Sequence, residues 1–576
     1  MRLLASLAMF LSLLTPHACA KEVLVEAERF ENAGGWLIDA QFIDQMGSSY
    51  LMAHGLGLPV ANATTSVRFP QTGLYHLWVR TRDWVPPHSP GRFRVLIDEY
   101  HVPAEFGTTG RGWLWQDGGT VEIAQPYPTI QLQDLTGFNG RCDALLFTTD
   151  PQFRPSNEAD AETAAWRRKL LSFPETPPSE PPLDVVVVGG GVAGCSAAVT
   201  AARLGLQVAL VQNRPVLGGN SSTEIGIRPA GFDRSVVSEL VGEDRERVVR
   251  SQRNLRLFLG WHAFRATKKE NRIVSVDVRN TRTCGELRLH APVIIDCTGD
   301  GWIGYRAGAD FRMGRESRSE FNESLAPEQA DRMTHGATLF FKLAVASGEV
   351  DFPSVPWAVE VAGDHIDMVS NHSWEYGHHR DMIQDAEEIR DHLLCAIYGT
   401  FANVKVKFPR KTSRVRLEQV CHVAARGESR RLMGDYILNE NDIRSQREFP
   451  DAVAQGGLVF CLHYPGEQYD FRNEMDLLPT RPYGIPFRCL YSRNVDNLMM
   501  AGRDASATHI GYSSIKLMKT GGQMGVAVGA AAALCKKYDT TPRGVYEKHI
   551  EELKEIVSER GDYERALSPP QPSDSP

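Results

Sequence analysis

A chain of 576 residues is too long for one hydrophobic core and implies two or three domains. Its 63 Lys and Arg against 71 Asp and Glu leave a formal net charge of −8, which excludes the basic surface of a nucleic-acid partner. The composition, 42% hydrophobic and 23% charged, is that of a globular protein, and no apolar run reaches the roughly 18 to 20 residues needed to span a membrane.

Residues 1–20 carry one early charge, Arg2, then an apolar stretch and an Ala-Cys-Ala end, the pattern of a cleaved signal peptide. Export to a periplasmic or extracellular location is therefore expected. Pro16 stands where a lipoprotein site at Cys19 prefers an aliphatic residue. Cleavage after Ala20 leaves nine of the ten cysteines, with no C-x-x-C pair and no His spacing of a zinc site, so no metal is expected. Most are read as small buried residues, and the odd number leaves at least one free thiol.

Residues 21–150 alternate short apolar segments with Gly, Pro and Asn turns, as in Val67 to Trp84, Arg92 to Tyr100 and Thr129 to Leu135. The pattern predicts an all-β sandwich resembling carbohydrate-binding modules. Trp36, Trp78, Trp84, Trp113 and Trp115 stack on sugar rings if exposed, but for most of them a place in the core is expected. Residues 151–182 read as a short helix followed by a semi-rigid linker, PETPPSEPP.

An α/β unit follows. Val185 to Val188 predict a buried parallel strand, and the Gly-rich turn after them leads into a helical pattern of Ala and Leu. Gly189, Gly191 and Gly194 fit the G-x-G-x-x-G spacing: a tight turn, a close approach to a pyrophosphate, and helix-on-strand packing. The second strand, Gln207 to Val211, is followed by Gln212 where an acid usually meets the ribose. A neutral amide can still bond a ribose hydroxyl. Two further stretches share this character: an apolar strand ending in Thr298-Gly299-Asp300-Gly301, and another ending in Gly502-Arg503-Asp504 ahead of a Gly- and Ala-rich helix opened by Gly521 and Gly522. No internal repeat is present, and residues 566–576 read as a disordered tail.

In this order, GGGVAG, RPVLGGNSS, CTGDG, RRLMGDYILNENDI, the stretch from Pro482 to Arg503 and the final helix resemble the FAD-binding frame of the glutathione-reductase type. More closely, residues 183–550 look like a family of secreted FAD-dependent oxidoreductases, some labelled xanthan lyase. The resemblance implies FAD, with the first Gly loop on its pyrophosphate and Gln212 and Asn213 at the adenosine ribose. Gly218, Gly219 and Asn220 would lie along the phosphates or flavin, backbone at Ala263 against adenine, Thr298 to Asp300 along the middle motif, and Asp504 at the ribityl or phosphate. The helix after Gly521 would aim its positive end at the flavin. Members usually carry Glu at the position of Gln212. The implied architecture is a Rossmann-type FAD domain (183–304 and 481–565) with an inserted α+β substrate domain (305–480).

Flavin chemistry on an alcohol needs a base beside the ring. His509, next to the last motif, is the first candidate, with backbone support under the flavin as its other role; His463 would enter from the inserted domain, Tyr512 would orient substrate, and Lys516 would orient substrate or form a salt bridge. Arg503 would bind a carboxylate or hold flavin, Arg430 and Arg431 would form ion pairs, and His378-His379 lacks a third metal ligand. The expected activity is hydride transfer between flavin and a small molecule, a carbohydrate or polyol, with an unidentified electron acceptor. A polysaccharide lyase with structural flavin and a non-catalytic glycan-binding protein are the alternatives.

Overall fold

The computed structural model describes residues 21–232, 235–368, 375–464 and 474–561; the expected signal peptide and the C-terminal tail lie outside them. Residues 21–150 form two antiparallel sheets. One is ordered Leu37–Asp39, Tyr50–Ala53, Gly140–Thr148, Gly73–Thr81, Leu114–Ile123, with Glu22–Glu26 also paired to Gly140–Thr148. The other is ordered Ala63–Ser66, Thr129–Asp134, Phe93–Ile97, Tyr100–His101. Alternation along Thr129–Asp134 turns Ile130 and Leu132 into the core, where they join Leu77, Val79, Leu145 and Phe147 of the first sheet.

Trp36 fills this core. Trp78 and Trp115 are buried elsewhere, under the helix Ala161–Leu170 and its Trp166. That helix is capped by Asp160, which accepts from the Thr163 N–H, and it packs back on the sheets, so part of the segment expected as linker is a cover.

The α/β unit is built on a five-stranded parallel sheet ordered Leu255–Leu259, Val208–Gln212, Val185–Val188, Val293–Asp296, Leu498–Met500. The valine strand at its centre is at most 4% exposed, as a strand covered on both faces must be. The helix Val192–Arg203 lies against Met518–Tyr538 at very short range: a Cβ on Gly525 would fall 2.1 Å from the Ala193 carbonyl oxygen, and one on Gly529 2.5 Å from that of Ala197. Small residues thus let a helix from the far end of the chain close over the first cofactor motif.

Between these parts lie short antiparallel pairings, the long helix Ala386–Lys407, and the hairpin Ala452–Tyr464 with Glu474–Pro486. The helix is tied to the N-terminal sheets by buried charge. Arg141 donates to Glu387 at 2.7 Å and to Asp391 at 2.5 Å, Arg390 donates to Asp39 at 2.9 Å, and Arg82 donates to Glu387 at 2.6 Å. Tyr50 donates its hydroxyl proton to Asp39 at 2.7 Å.

Replacing Arg141 with Ala leaves these carboxylates one counter-charge short in a dry interface. The free energy of unfolding is expected to fall by about 3–5 kcal/mol, read as a lower midpoint in a urea titration with the m value unchanged.

Candidate active site

A cavity of about 590 Å³ runs along the carboxyl end of the parallel sheet, where open α/β sheets bind ligands. The three glycines of the first loop have separate reasons to be glycine. Gly189 takes a left-handed φ of +106°, and a Cβ there would sit 2.2 Å from the Cys297 carbonyl oxygen. A Cβ on Gly194 would fall 1.8 Å from the carbonyl oxygen of Gly189, so this position lets the helix seat on the turn, behind the cavity wall. Gly191, on the wall, has an ordinary φ of −71° and no protein atom closer than 4.0 Å to such a Cβ. Neither conformation nor packing demands glycine there; an open backbone face toward a ligand does.

Gln212 uses both ends of its amide within the chain. Its Oε1 accepts from the Gly190 N–H at 2.9 Å and its Nε2 donates to the Val216 carbonyl at 3.1 Å, so it braces the glycine loop. A carboxylate would keep the first bond and lose the second. Asn213, Gly218, Gly219 and Asn220 follow on the wall. So does Arg214, which sequence reasoning passed over; it donates to the Gly219 carbonyl at 3.2 Å and lies 3.4 Å from Glu224.

Thr298, Gly299 and Asp300 also line the cavity, Thr298 beside Gly189. Asp296, at the end of its strand, organises this turn by accepting from Thr298 and from the N–H groups of Ile303 and Gly304. Asp300 accepts from Arg426 and from Ser429, each at 2.7 Å. Burial opposes its charge, but Arg426 and Arg503 outweigh it and hold the carboxyl below its usual range. Arg503 is fixed by donation to the Arg426 and Gly427 carbonyls, at 3.0 and 2.5 Å.

Gly502 and Gly521 line the cavity, whereas Gly522 packs against Val237 and Val192. Asp504 lies behind the wall, fully buried. Burial, with Asp296 nearby, pushes its carboxyl well up and favours the neutral acid. The helix Met518–Tyr538 has no side-chain cap and brings Leu517, Met518 and Gly521 to the wall; the Lys519 N–H donates to the Ala230 carbonyl at 2.9 Å, and the positive dipole end faces the cavity.

Ala263 is on the wall at another end, its carbonyl already accepting from the Trp302 indole at 3.0 Å. Here the N-terminal sheets take part: Gln41, Phe42, Asp44 and Gln45 close the cavity, and Asp44 pairs with His262 at 2.9 Å. No sequence pattern announced this contribution.

At the polar end the inserted region and the last segment meet. His463 places Nδ1 2.7 Å from Glu375 and Nε2 3.2 Å from the Cys461 sulfur. Glu375 also accepts from the Gly336 N–H at 2.9 Å and lies 3.2 Å from His378. Lys516 sits 2.7 Å from Nδ1 of His335 and hydrogen-bonds the Cys461 thiol. His335, Glu375, Cys461, His463, Tyr512 and Lys516 all line the cavity.

Burial and the Lys516 charge oppose protonation of His463, yet Glu375 and the bond to Cys461 raise its pKa. Burial alone would raise the Cys461 thiol; His463 and Lys516 instead hold it below the ordinary thiol value. The Lys516 amine is lowered by burial.

The expected acid or base, His509, is placed differently. It is buried behind His335 and off the wall, its Nδ1 2.7 Å from Glu428 and its N–H donated to Glu316 at 2.8 Å. Tyr512 is on the wall, but its hydroxyl proton is committed to the Gly427 carbonyl at 2.5 Å. Arg431 pairs with Glu428 and Glu316, while Arg430 stacks 3.8 Å over the Tyr305 ring. His335, Glu428 and His509 bring ligand atoms within 4.8 Å of one another, in a cluster where Arg431 also pairs with Glu428 and Lys516 contacts Nδ1 of His335.

The sequence matches the model of the family described as FAD dependent oxidoreductase over residues 184–255 and 245–557. The chain belongs to that family. This FAD-dependent oxidoreductase also shares 47% identity over 58 residues with the soluble pyridine nucleotide transhydrogenase of Ectopseudomonas mendocina (strain ymp), which is 10% of the chain and only 12% of that relative's length. Among solved structures, a geranylgeranyl bacteriochlorophyll reductase-like protein of Thermoplasma acidophilum aligns with 67% of this chain and 85% of its own (12% identity, TM-score 0.29). The myxobacterial chondrochloren halogenase CndH aligns with 68% and 82% (12% identity, TM-score 0.29).

FAD fits this cavity on its own evidence: an open glycine face at Gly191, the positive end of the helix that begins at Met518, and one continuous space between them. Gly191→Ala puts a methyl on that face without striking protein. With both proteins free of FAD, its circular dichroism and melting temperature are expected to stay near wild type, while FAD affinity falls at least tenfold in a flavin-fluorescence titration. Gly194→Val, which collides with Gly189, is expected to lower the melting temperature as well.

Proposed function

We propose that the protein is an exported oxidoreductase that transfers hydride between a carbohydrate or related polyol and FAD. The observation that carries this reading is the Cys461–His463–Glu375 array with Lys516 on the wall of the cofactor cavity. Bound FAD supplies the two-electron acceptor. The chain's own residues handle the proton and the oxygen.

Glu375 takes the Nδ1 hydrogen bond of His463, which leaves Nε2 directed at the Cys461 sulfur. The two groups titrate as a unit. Once the pair has given up its proton it can take one from a substrate hydroxyl, while the Lys516 ammonium steadies the charge left on oxygen. The N-terminal segment at Gln41 to Gln45 and the hairpin strand bearing Cys461 wall the cavity and keep water from this proton.

Export is supported by the pattern of residues 1–20, and a sugar substrate by export together with the two-sheet N-terminal unit, read as a carbohydrate-binding-like sandwich. Among the described residues no helix is long and apolar enough to cross a membrane. Trp78 and Trp115, buried under Ala161–Leu170, are not the surface that would meet a sugar.

The test is the visible spectrum of the purified chain, followed by anaerobic addition of a panel of sugars and polyols. Flavin absorbance bleached by one of them supports hydride transfer; unsaturated products without bleaching would replace it with a lyase. His463→Gln is expected to retain the flavin spectrum and lose about 10²–10⁴ in kcat. Because the His463 pKa is raised, the rate should climb with pH through a limb lying above ~6.5, and this limb should vanish in the variant.

A further inference from the structure

A base alone does not account for Cys461. A hydroxyl-oxidising site needs a proton acceptor and a charge to steady oxygen, which His463 and Lys516 already supply. Yet the strand Ala452–Tyr464 turns Cys461 and His463 to the same side, two residues apart, and sets the sulfur on the cavity wall 3.2 Å from Nε2. Behind the imidazole stands Glu375, itself fixed by the Gly336 N–H. Nucleophile, base and orienting acid in sequence is the arrangement that activates a side chain for covalent attack.

The other cysteine on the wall, Cys297, offers a contrast: burial and the neighbouring Asp504 and Asp296 push its thiol well up. Cys461 faces cations instead. Among the described residues the groups around it include His463 on its own strand, Lys516 from the last segment, Glu375 from the inserted region, and His335, whose ring centre lies 4.8 Å from that of His463.

We propose that Cys461 is the covalent nucleophile of this site and that it adds to an aldehyde carbonyl, such as the open-chain form of a sugar. The choice of aldehyde rests on the oxidoreductase reading above; the nucleophile does not. In the step, a lone pair of the thiolate sulfur forms the bond to the carbonyl carbon and the π pair of the C=O bond moves to oxygen. That oxygen takes the Nε2 proton of the His463 imidazolium, so no electron is gained or lost. Lys516 steadies the oxygen as its charge develops. A thiolate flanked by two positive donors suits such an addition, because the charge that leaves sulfur arrives on an oxygen within their reach. The carbon so formed carries a hydroxyl and the hydrogen that a flavin-dependent oxidation would remove.

The test needs neither turnover nor flavin reduction. The full chain is alkylated with iodoacetamide from about pH 5 to about pH 10 and each cysteine is followed by peptide mass spectrometry. Cys461 is expected to react first, to reach half its maximal rate below the ordinary thiol value of ~8.5, and to lose that advantage in His463→Gln. D-Glyceraldehyde as probe is expected to slow the reaction at least tenfold, and glycerol is not. A Cys461 that titrates like an ordinary thiol in the wild-type chain, where no variant needs to fold, overturns the nucleophile. Equal protection by glycerol and glyceraldehyde, or none by either, overturns the aldehyde. A sugar panel that bleaches no flavin would sink the hydride-transfer reading and leave the alkylation result standing.

Discussion

Everything on the N-terminal side of the cavity depends on one dry cluster of charge. Arg82, Arg141 and Arg390 meet Asp39, Glu387 and Asp391, three cations and three anions, and Arg141 and Arg390 have no exposed side-chain surface. Such a cluster adds little net stability beyond what apolar packing would give, but it tolerates no mispairing. It accepts one register of the sheets against the helix Ala386–Lys407. That register carries Gln41 to Gln45 onto the cofactor cavity, so a specificity device in the interface becomes a positioning device for the site.

On the other side the constraint is space. Glycines and alanines let two helices approach until carbonyl oxygens lie where side chains would be, and the cavity is what remains between them and the sheet. Gly191 differs from its neighbours because nothing in the protein claims the volume beside it. The helix that supplies the closest packing also presents its positive end to the cavity, so packing and electrostatics come from the same element.

How much of this was legible in the sequence varies with the range of the interaction. The valine strand, the glycine turn and the Thr298 to Asp300 turn are local patterns, and each falls where its spacing predicts on the parallel sheet. The polar end is not local: His335, Glu375, Cys461 and Lys516 come from four separate stretches, and no period links them. His463 and Lys516 stood out as candidates on the sequence; Cys461 did not, although two residues apart on a strand means one face with His463. His509 drew attention because it follows the last motif, yet the helix it begins turns it toward Glu428 and away from the cavity. Gln212 looked like a weakened ribose contact; its amide has a second task, bracing Gly190, that only the folded turn reveals. The tryptophans of the N-terminal unit are mostly interior, as their apolar setting predicts, but two of them are covered by a helix rather than by the opposing sheet.

The wall formed by Gln41 to Gln45 has a thermodynamic consequence. A ligand gripped by two packed units is counted once in the binding equilibrium and again in their docking equilibrium, because neither grip exists with the units apart. Every tenfold excess of cofactor over its dissociation constant then adds about 1.4 kcal/mol to the seam between them. Cofactor supply thereby becomes a term in the folding of the whole chain, and the sheets that look like an appended module share their fate with the flavin.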